Sequence, residues 1–537
     1  MTNNSRCDRV ATEAPAVATR KPARYSWKEG SLLMTPESCS FSGNASWEDF
    51  DHLETPLQFF RHFFTSELTE LIVEQTVLYS VQCQPQNPIK VTSSEIEQFI
   101  GVALHMSLVR MANTRNYFSA HFRMPQVADV MTGKRFEELK RYIHFADNTS
   151  SDTTDKLRKV KPILEHLRKG FLTVPKTENL SVDEQIVPFK GTSCLKQYIP
   201  LKPHKWGYKL FVLCGNNGFA YDFEVYAGKQ NASLMENEVE LGACGNVVVR
   251  LARSIPAKLG HKLYFDNYFN SPKLEVYLAQ RQIFSLGTVR SNRLPNCSLA
   301  SEKELKKKGR GSHVEKVTSA EGVDLTVVQW FDNRLVTLLS SFVGAEPVQE
   351  FRRWNKSSKC YEQVPSPKIV QVYNKHMGGV DLMDSLIGLY RTRIRSKKWY
   401  LRIFFHMLDL TVVNAWLLYK QCCSLKSPPV RPVRLHDFKA KVAEGLCKER
   451  KEVKLTSGSK RKMADSSLQP APKRTCVMTL PAADVQHDGV GHWPLWSASR
   501  QRCKRQDCVG TSRVMCLKCK VHLCFNNHQN CFLTFHR

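Results

Sequence analysis

The chain ends in a pattern of metal ligands. Cys503, Cys508, Cys516, Cys519, Cys524, His528, Cys531 and His536 supply eight side chains of the types that bind zinc, enough for two tetrahedral sites. Their spacing fits a cross-brace zinc module, in which alternate pairs share a metal. One site takes Cys503, Cys508, Cys524 and His528, and the other takes Cys516, Cys519, Cys531 and His536. So short a segment cannot bury enough apolar surface to fold alone. Two Zn2+ ions would supply the missing free energy, on the order of 10 kcal/mol each. A small, basic, appended module suits recognition, so catalytic chemistry must be sought upstream.

Upstream, the candidates are carboxylates. Asp183 lies within Leu180-Ser181-Val182-Asp183-Glu184-Gln185. On a strand Asp183 and Glu184 face opposite sides, so only one can serve a shared site. Asp266 closes the run Lys262-Leu263-Tyr264-Phe265 and precedes Asn267, as expected of a carboxylate at the rim of a sheet. Asp381 follows Gly378-Gly379, a pair that permits a tight turn, and Asp384 lies on the same helical face. Three carboxylates on separate elements can converge on two divalent cations, which align an attacking oxygen and stabilise a leaving one in phosphoryl displacement. Mg2+ or Mn2+ suits an oxygen-only donor set. The chain holds 50 acidic residues, so spacing alone leaves other triples open, with Asp222, Glu224, Asp324 and Asp332 among the alternatives.

The elements that must position these groups follow from periodicity. Residues 1–54 are polar and aperiodic, the pattern of a disordered arm. Residues 55–178 carry helical spacing, with Phe59, Phe60, Phe63 and Phe64 expected in a helix core. Over 179–290 the reading is three strands, a helix, a strand, a helix and a further strand, hence a mixed α/β sheet with helices packed on it. Residues 291–366 contain the basic run Lys303–Arg310 and then strand-like stretches, read as a β-rich insertion subdomain. The core pattern resumes at 367–390, helices return at 391–450, a basic linker covers 451–500, and the Cys/His module occupies 501–537.

Lys and Arg number 78 against 50 Asp and Glu, giving a net charge of +28 and favouring polyanions. No apolar run approaches the length of a membrane span, and no secretory leader is legible, so no membrane partner is expected. The other twelve of the 18 cysteines are scattered apart from Cys422-Cys423, which argues for reduced thiols inside a cell. Just past the third Asp, Arg391, Arg393, Arg395, Lys398 and Trp399 combine phosphate-binding cations with a ring that could stack on a base. Lys202, Lys205, Arg290 and Arg293 flank the carboxylates and are similar DNA-binding candidates. Lys460-Arg461-Lys462 and Lys473-Arg474 have the spacing of a bipartite nuclear import signal.

Several stretches together resemble the piggyBac transposase family. They are Ser181-Val182-Asp183-Glu184-Gln185 with Pro188-Phe189-Lys190-Gly191, Tyr198-Ile199-Pro200, and Lys205-Trp206-Gly207-Tyr208-Lys209. Phe265-Asp266-Asn267-Tyr268-Phe269, Gly287-Thr288-Val289-Arg290, Tyr373-Asn374, Met377-Gly378-Gly379-Val380-Asp381 and Lys398-Trp399 follow in matching order. The resemblance implies a ribonuclease-H-like catalytic core in which Asp183, Asp266 and Asp381 form the Mg2+-binding triad, with Asp384 as a further acidic position. It implies a bracketing helical region for DNA binding and dimerisation, and a nuclear homodimer acting on double-stranded DNA. The reaction would be metal-assisted strand cleavage at terminal repeats and transfer at TTAA through hairpin ends. A domesticated member would instead be a catalytically silent DNA- or chromatin-binding nuclear factor. The wider first Cys pair departs from the family's insect-type tail, which leaves His522 and His492 as rivals to His528.

Overall fold

The computed structural model describes residues 25–32, 39–43, 46–149, 154–200, 202, 204–228, 235, 238–448, 480–481, 486–487, 489 and 491–537. The paired basic clusters at 460–462 and 473–474 lie outside the described residues.

Six helices come first: α1 (Pro56–Phe63), α2 (Ser66–Cys83), α3 (Ser93–Leu108), α4 (Pro125–Ala128), α5 (Gly133–Tyr142) and α6 (Lys161–Leu172). Their starts are written in the sequence. Thr55, Thr65, Thr92 and Thr132 each accept a hydrogen bond from a first-turn backbone N–H, and Thr55 forms a capping box with Gln58 ahead of Pro56. Phe59, Phe60, Phe63 and Phe64 are buried, as core residues should be.

The ten-stranded sheet comprises β1 (Lys28–Glu29), β2 (Asn179–Pro188), β3 (Gln197–Tyr198), β4 (Trp206–Gly215), β5 (Ala220–Val225), β6 (Lys262–Phe265), β7 (Phe284–Thr288), β8 (His313–Ala320), β9 (Val323–Phe331) and β10 (Leu335–Ser340). The order is β1-β8-β9-β10-β7-β6-β2-β4-β3, with β5 also on β4. β6 runs parallel to β2 and to β7; the other pairings are antiparallel. The parallel strands are joined through α7 (Gly242–Ala252) and α8 (Pro272–Gln280), the crossovers that parallel pairing requires. Continuous burial from Gly207 to Cys214 shows that β4 is covered on both faces.

Two expectations change here. The β-rich stretch at 291–366, after α9 (Glu302–Lys308), does not stand apart. Its strands β8, β9 and β10 continue the main sheet because β10 pairs with the open edge of β7. Only β11 (Gln349–Asn355) and β12 (Cys360–Ser366) form a separate ribbon. Nor is the described part of 1–54 a free arm. β1 adds to β8, and Tyr25, Cys39, Phe50 and Leu53 are buried.

After the ribbon come α10 (Lys368–His376), α11 (Gly379–Leu389), α12 (Trp399–Leu425) and α13 (Leu435–Lys448). α12 is long and apolar enough to span a membrane, yet 89% of its most apolar stretch is buried inside the protein. Its polar side chains are satisfied there. Asn414 bonds both the N–H and the C=O of Ala220, and Asp409 pairs with Lys439 at 2.9 Å. α12 and α13 return to the first helical block: Phe59 meets Tyr419 edge-on, and Gly101 lets α3 lie directly against Ala443 and Cys447. The tail holds β13 (Pro494–Arg502), β14 (Thr511–Cys516), β15 (Phe525–Asn526), β16 (Gln529–Asn530) and α14 (Cys531–Phe535).

Candidate active site and metal-ligand clusters

The parallel register of β2 and β6 decides where the first two aspartates meet. Val182 pairs with Phe265, so Asp183 and Asp266 each follow the last paired position of two adjacent parallel strands. At Asp266 the chain leaves the strand. Its Oδ1 accepts from the Tyr268 N–H at 2.8 Å, and its carbonyl accepts from Phe269 and Asn270, which closes the turn. Asp183 Oδ1 accepts from the Glu184 N–H at 2.7 Å. Glu184 points to the other face, where it pairs with Lys209 at 2.5 Å.

Asp381 arrives on the first turn of α11. A Cβ on Gly379 would lie 2.6 Å from the Gly215 carbonyl oxygen and 2.6 Å from Ser181 Oγ, so glycine is what lets α11 sit against β2 and β4. The electrostatics record the convergence. Burial first, and then the charges of Asp266 and Asp381, push the Asp183 carboxyl up to about 6, against the opposing pull of the Glu184 N–H and Lys202. Asp266 is also raised, mainly by burial. Among the described residues, the groups whose ligand atoms all lie within 4.8 Å of one another are two Cys/His tetrads; the three aspartates are not such a group.

Asp384, expected beside the triad, has other partners. Its Oδ1 accepts from Gln185 Nε2 at 3.1 Å and from Arg391 at 2.9 Å, and Gln185 Oε1 faces His406 Nε2 at 2.8 Å. His406 is held neutral by burial and by Arg391 and Arg402. This chain of contacts ties α11 to β2 and α12.

The basic candidates divide in the same way. Lys202 acts on Asp183 and Asp266 and donates to the Glu184 carbonyl at 3.2 Å. Lys205, Arg290, Arg393 and Arg395 are exposed, with Arg290 also donating to Asn267. Arg293 instead bonds the carbonyls of Tyr268 and Asn270 and staples the Asp266 turn. Arg391 is buried in its pair with Asp384. Lys398 bonds the Arg141 carbonyl and lies 4.7 Å from the Tyr79 ring, where burial lowers its pKa to about 8. Trp399 is half-buried against Tyr208 and Tyr400. Arg391, Arg293 and Lys398 are therefore spent on contacts within the protein: a carboxylate, two backbone carbonyls, and a carbonyl with a ring, respectively.

The structure adds Tyr373 on α10, hydrogen-bonded to Thr288. Burial, with Asp266 and Asp183 nearby, pushes its phenol up to about 12. The sequence signal for it was only its place in the Tyr373-Asn374 stretch. Tyr198 and Trp206 form an exposed aromatic pair at the start of β4, with Lys196 4.8 Å from the Trp206 ring.

In the tail the eight-ligand pattern holds but its membership changes. Cys503, Cys508, Cys524 and Cys531 make one tetrad; His492, Cys516, Cys519 and His536 make the other. The two still alternate along the chain. Cys531 begins α14 and lies 3.6 Å from Cys508 Sγ, not with Cys516. His528 belongs to neither tetrad, because the β15–β16 hairpin carries it to an exposed turn. His492 reaches Cys516 and Cys519 at 3.4 Å each, and His536 reaches Cys519 at 3.4 Å. The donor chemistry suits a soft cation. The Cys519 thiol first, and then His492 and His536, hold the Cys516 thiol down to about 2.

A family model described as Transposase IS4 matches residues 55–416. Human PiggyBac transposable element-derived protein 3 is 29% identical over 517 residues, covering 95% of this chain and 81% of its own length. The chain belongs to the piggyBac transposase family. Human PiggyBac transposable element-derived protein 2 is 29% identical over 473 residues, 85% of this chain and 74% of that protein. A piggyBac transposase solved as a synaptic complex with hairpin DNA shares the fold. It covers 90% of this chain and 99% of its own, with a TM-score of 0.63 at 20% identity. The family match spans all three aspartates of the triad and ends within α12.

Proposed function

We propose that this piggyBac-family protein cleaves and transfers DNA strands, using Asp183, Asp266 and Asp381 on a ribonuclease-H-like core as ligands for two Mg2+ or Mn2+ ions. The observation that supports this reading best is the parallel register of β2 against β6, after whose last paired positions Asp183 and Asp266 follow, with α11, which starts with Asp381 in its first turn, packed against β2 and β4. The strand order β5-β4-β2-β6-β7, with β6 parallel to both neighbours, supports the core assignment. Like charges crowded at one edge favour divalent cations, which when bound supply Lewis-acid stabilisation of the attacking and leaving oxygens.

The chain's own residues do the rest. Asp183, Asp266 and Asp381 would hold the cations. Arg293 and the Tyr268 N–H fix the Asp266 turn, and the Gln185–Asp384–Arg391 contacts hold α11. Lys205, Arg290, Arg393 and Arg395 are free to meet duplex phosphates, while Lys202 offsets the carboxylate field. The two tetrads hold two Zn2+ ions in a cross-brace that recognises the terminal-repeat DNA. TTAA-flanked ends, a homodimer and a nuclear location complete the reading.

The test is strand nicking by the purified full chain with Mg2+ on DNA carrying matched terminal repeats. Wild type should nick and Asp183→Asn should not; equal signals would remove catalysis from this edge. A second reading is favoured by the relatives, which are named element-derived proteins. The Cys/His module and basic surface need no chemistry to bind, so the protein would then be a silent DNA- or chromatin-binding factor. Tight binding of matched ends with no nicking, or of histone peptides by the tail, would establish that alternative.

A further inference from the structure

The β11–β12 ribbon stands outside the triad, and its two faces differ. On one face Val364 is buried and Arg353 lies 5.9 Å from the Trp330 ring, so this side is seated on the sheet. The opposite face turns outward. There Trp354 and its cross-strand partner Tyr361 meet edge to face at 5.1 Å, yet remain 47% and 57% exposed. The Arg352 guanidinium lies 4.2 Å from the Tyr361 ring. Lys356 and Lys359 extend the charge at the exposed tip.

Isolated exposed apolar residues are ordinary, but two large rings paired on one solvent face beside Arg and two Lys are not. The ribbon carries two carboxylates against these cations and Arg353. Glu350 is at its base, and Glu362 is already engaged by Arg310 and Asn355. A groove of about 1110 Å³ runs from the base of the ribbon along the sheet, lined by Phe351, Arg352, Trp330, Lys368, Thr288 and Tyr373. Thr288 follows Gly287, the partner of Phe265, and so stands level with Asp266.

We propose that the outer face of this ribbon binds an unpaired DNA segment leaving the cleavage edge, with a base stacked on Trp354 or Tyr361 and phosphates on Arg352, Lys356 and Lys359. An unpaired segment is favoured because the rings need a base with an open π-face, which a duplex denies them. The cationic surround favours a polyanion over a protein partner. The identity of the acid as DNA rests on the strand-cleavage reading; the contact itself does not.

The test is binding of a fluorescent oligothymidylate by the full, zinc-loaded chain without added Mg2+, together with crosslinking to an iodouridine-substituted strand. Crosslinks should map to Trp354 or Tyr361. Trp354→Ala should weaken binding about 10-fold, and Trp354→Phe should keep most of it. Removing both Lys356 and Lys359 should lower the salt slope by about 1.4. Crosslinks confined to the tail or helical region would overturn the proposal. So would Trp354→Ala binding within twofold of wild type, or a loss seen with duplex alone. Asp183→Asn should bind the oligothymidylate normally. A chain that binds it through the ribbon but never nicks would sink the cleavage reading and leave the ribbon contact standing.

Discussion

Gly378 and Gly379 are neighbours at the start of α11, and the structure assigns them opposite sensitivities. A Cβ at Gly378 meets nothing within 4 Å. A Cβ at Gly379 would meet the Gly215 carbonyl oxygen and Ser181 Oγ at 2.6 Å, about 0.8 Å short of ordinary contact at 3.4 Å. One obstacle is backbone, so relief requires α11 to lift from β2 and β4. Overpacking of this kind costs about 1–3 kcal/mol. The same lift carries Asp381 away from Asp183, and a misplacement of about 1 Å at a reacting centre can cost about 100-fold in rate. Gly378→Ala should stay within about 1 kcal/mol of wild type, since alanine is only a poorer cap there. The assay is Mg2+-dependent nicking by both variants, with urea unfolding to confirm that each is folded at the assay temperature. Equal nicking by the two alanine variants would refute the claim that close approach of α11 assembles the site.

Three further outcomes are expected. His492→Ala should release one Zn2+ per chain while His528→Ala keeps both, as read by native mass spectrometry; the reverse result would restore the spacing-based assignment. Lys439→Met should destabilise the fold by about 3–5 kcal/mol in urea, because it strands the buried Asp409 carboxylate, which also accepts from Thr392. Glu275 is fully buried against Ser285, and burial raises its pKa to about 8. Its folded pKa exceeds the unfolded value, so the unfolded chain binds fewer protons between about 4.5 and about 8, and stability from this group falls as pH rises through that window. Glu275→Gln should flatten that decline in pH-dependent urea unfolding, and an unchanged slope would place the titration elsewhere.

Much of the core was legible because its signals are local. The alternation around Asp183, the strand ending at Asp266 and the Gly pair before Asp381 placed three carboxylates on the elements that carry them. Helical spacing marked the first helical block, and the element order β2, β4, β5, α7, β6, α8, β7 followed from periodicity apart from the two-residue β3. What escaped depends on contacts distant in sequence. Nothing near Lys28 announces that it pairs with Val317, and the open edge of β7 that recruits β10 exists only after folding. Ligand spacing counted eight donors but could not foresee that a hairpin would turn His528 outward while β13 begins beside His492. Arg391 and Lys398 looked like phosphate ligands because a charge run does not reveal which cations a carboxylate or a carbonyl distant in sequence will claim.

The most direct measurement is anomalous diffraction from Mn2+ in crystals of the DNA-bound protein. Two peaks about 4 Å apart, both coordinated by Asp183 and flanked by Asp266 and Asp381, are the expected result. Mn2+ bound without Asp183, or an Asp266 carboxylate that never joins it, would contradict the account.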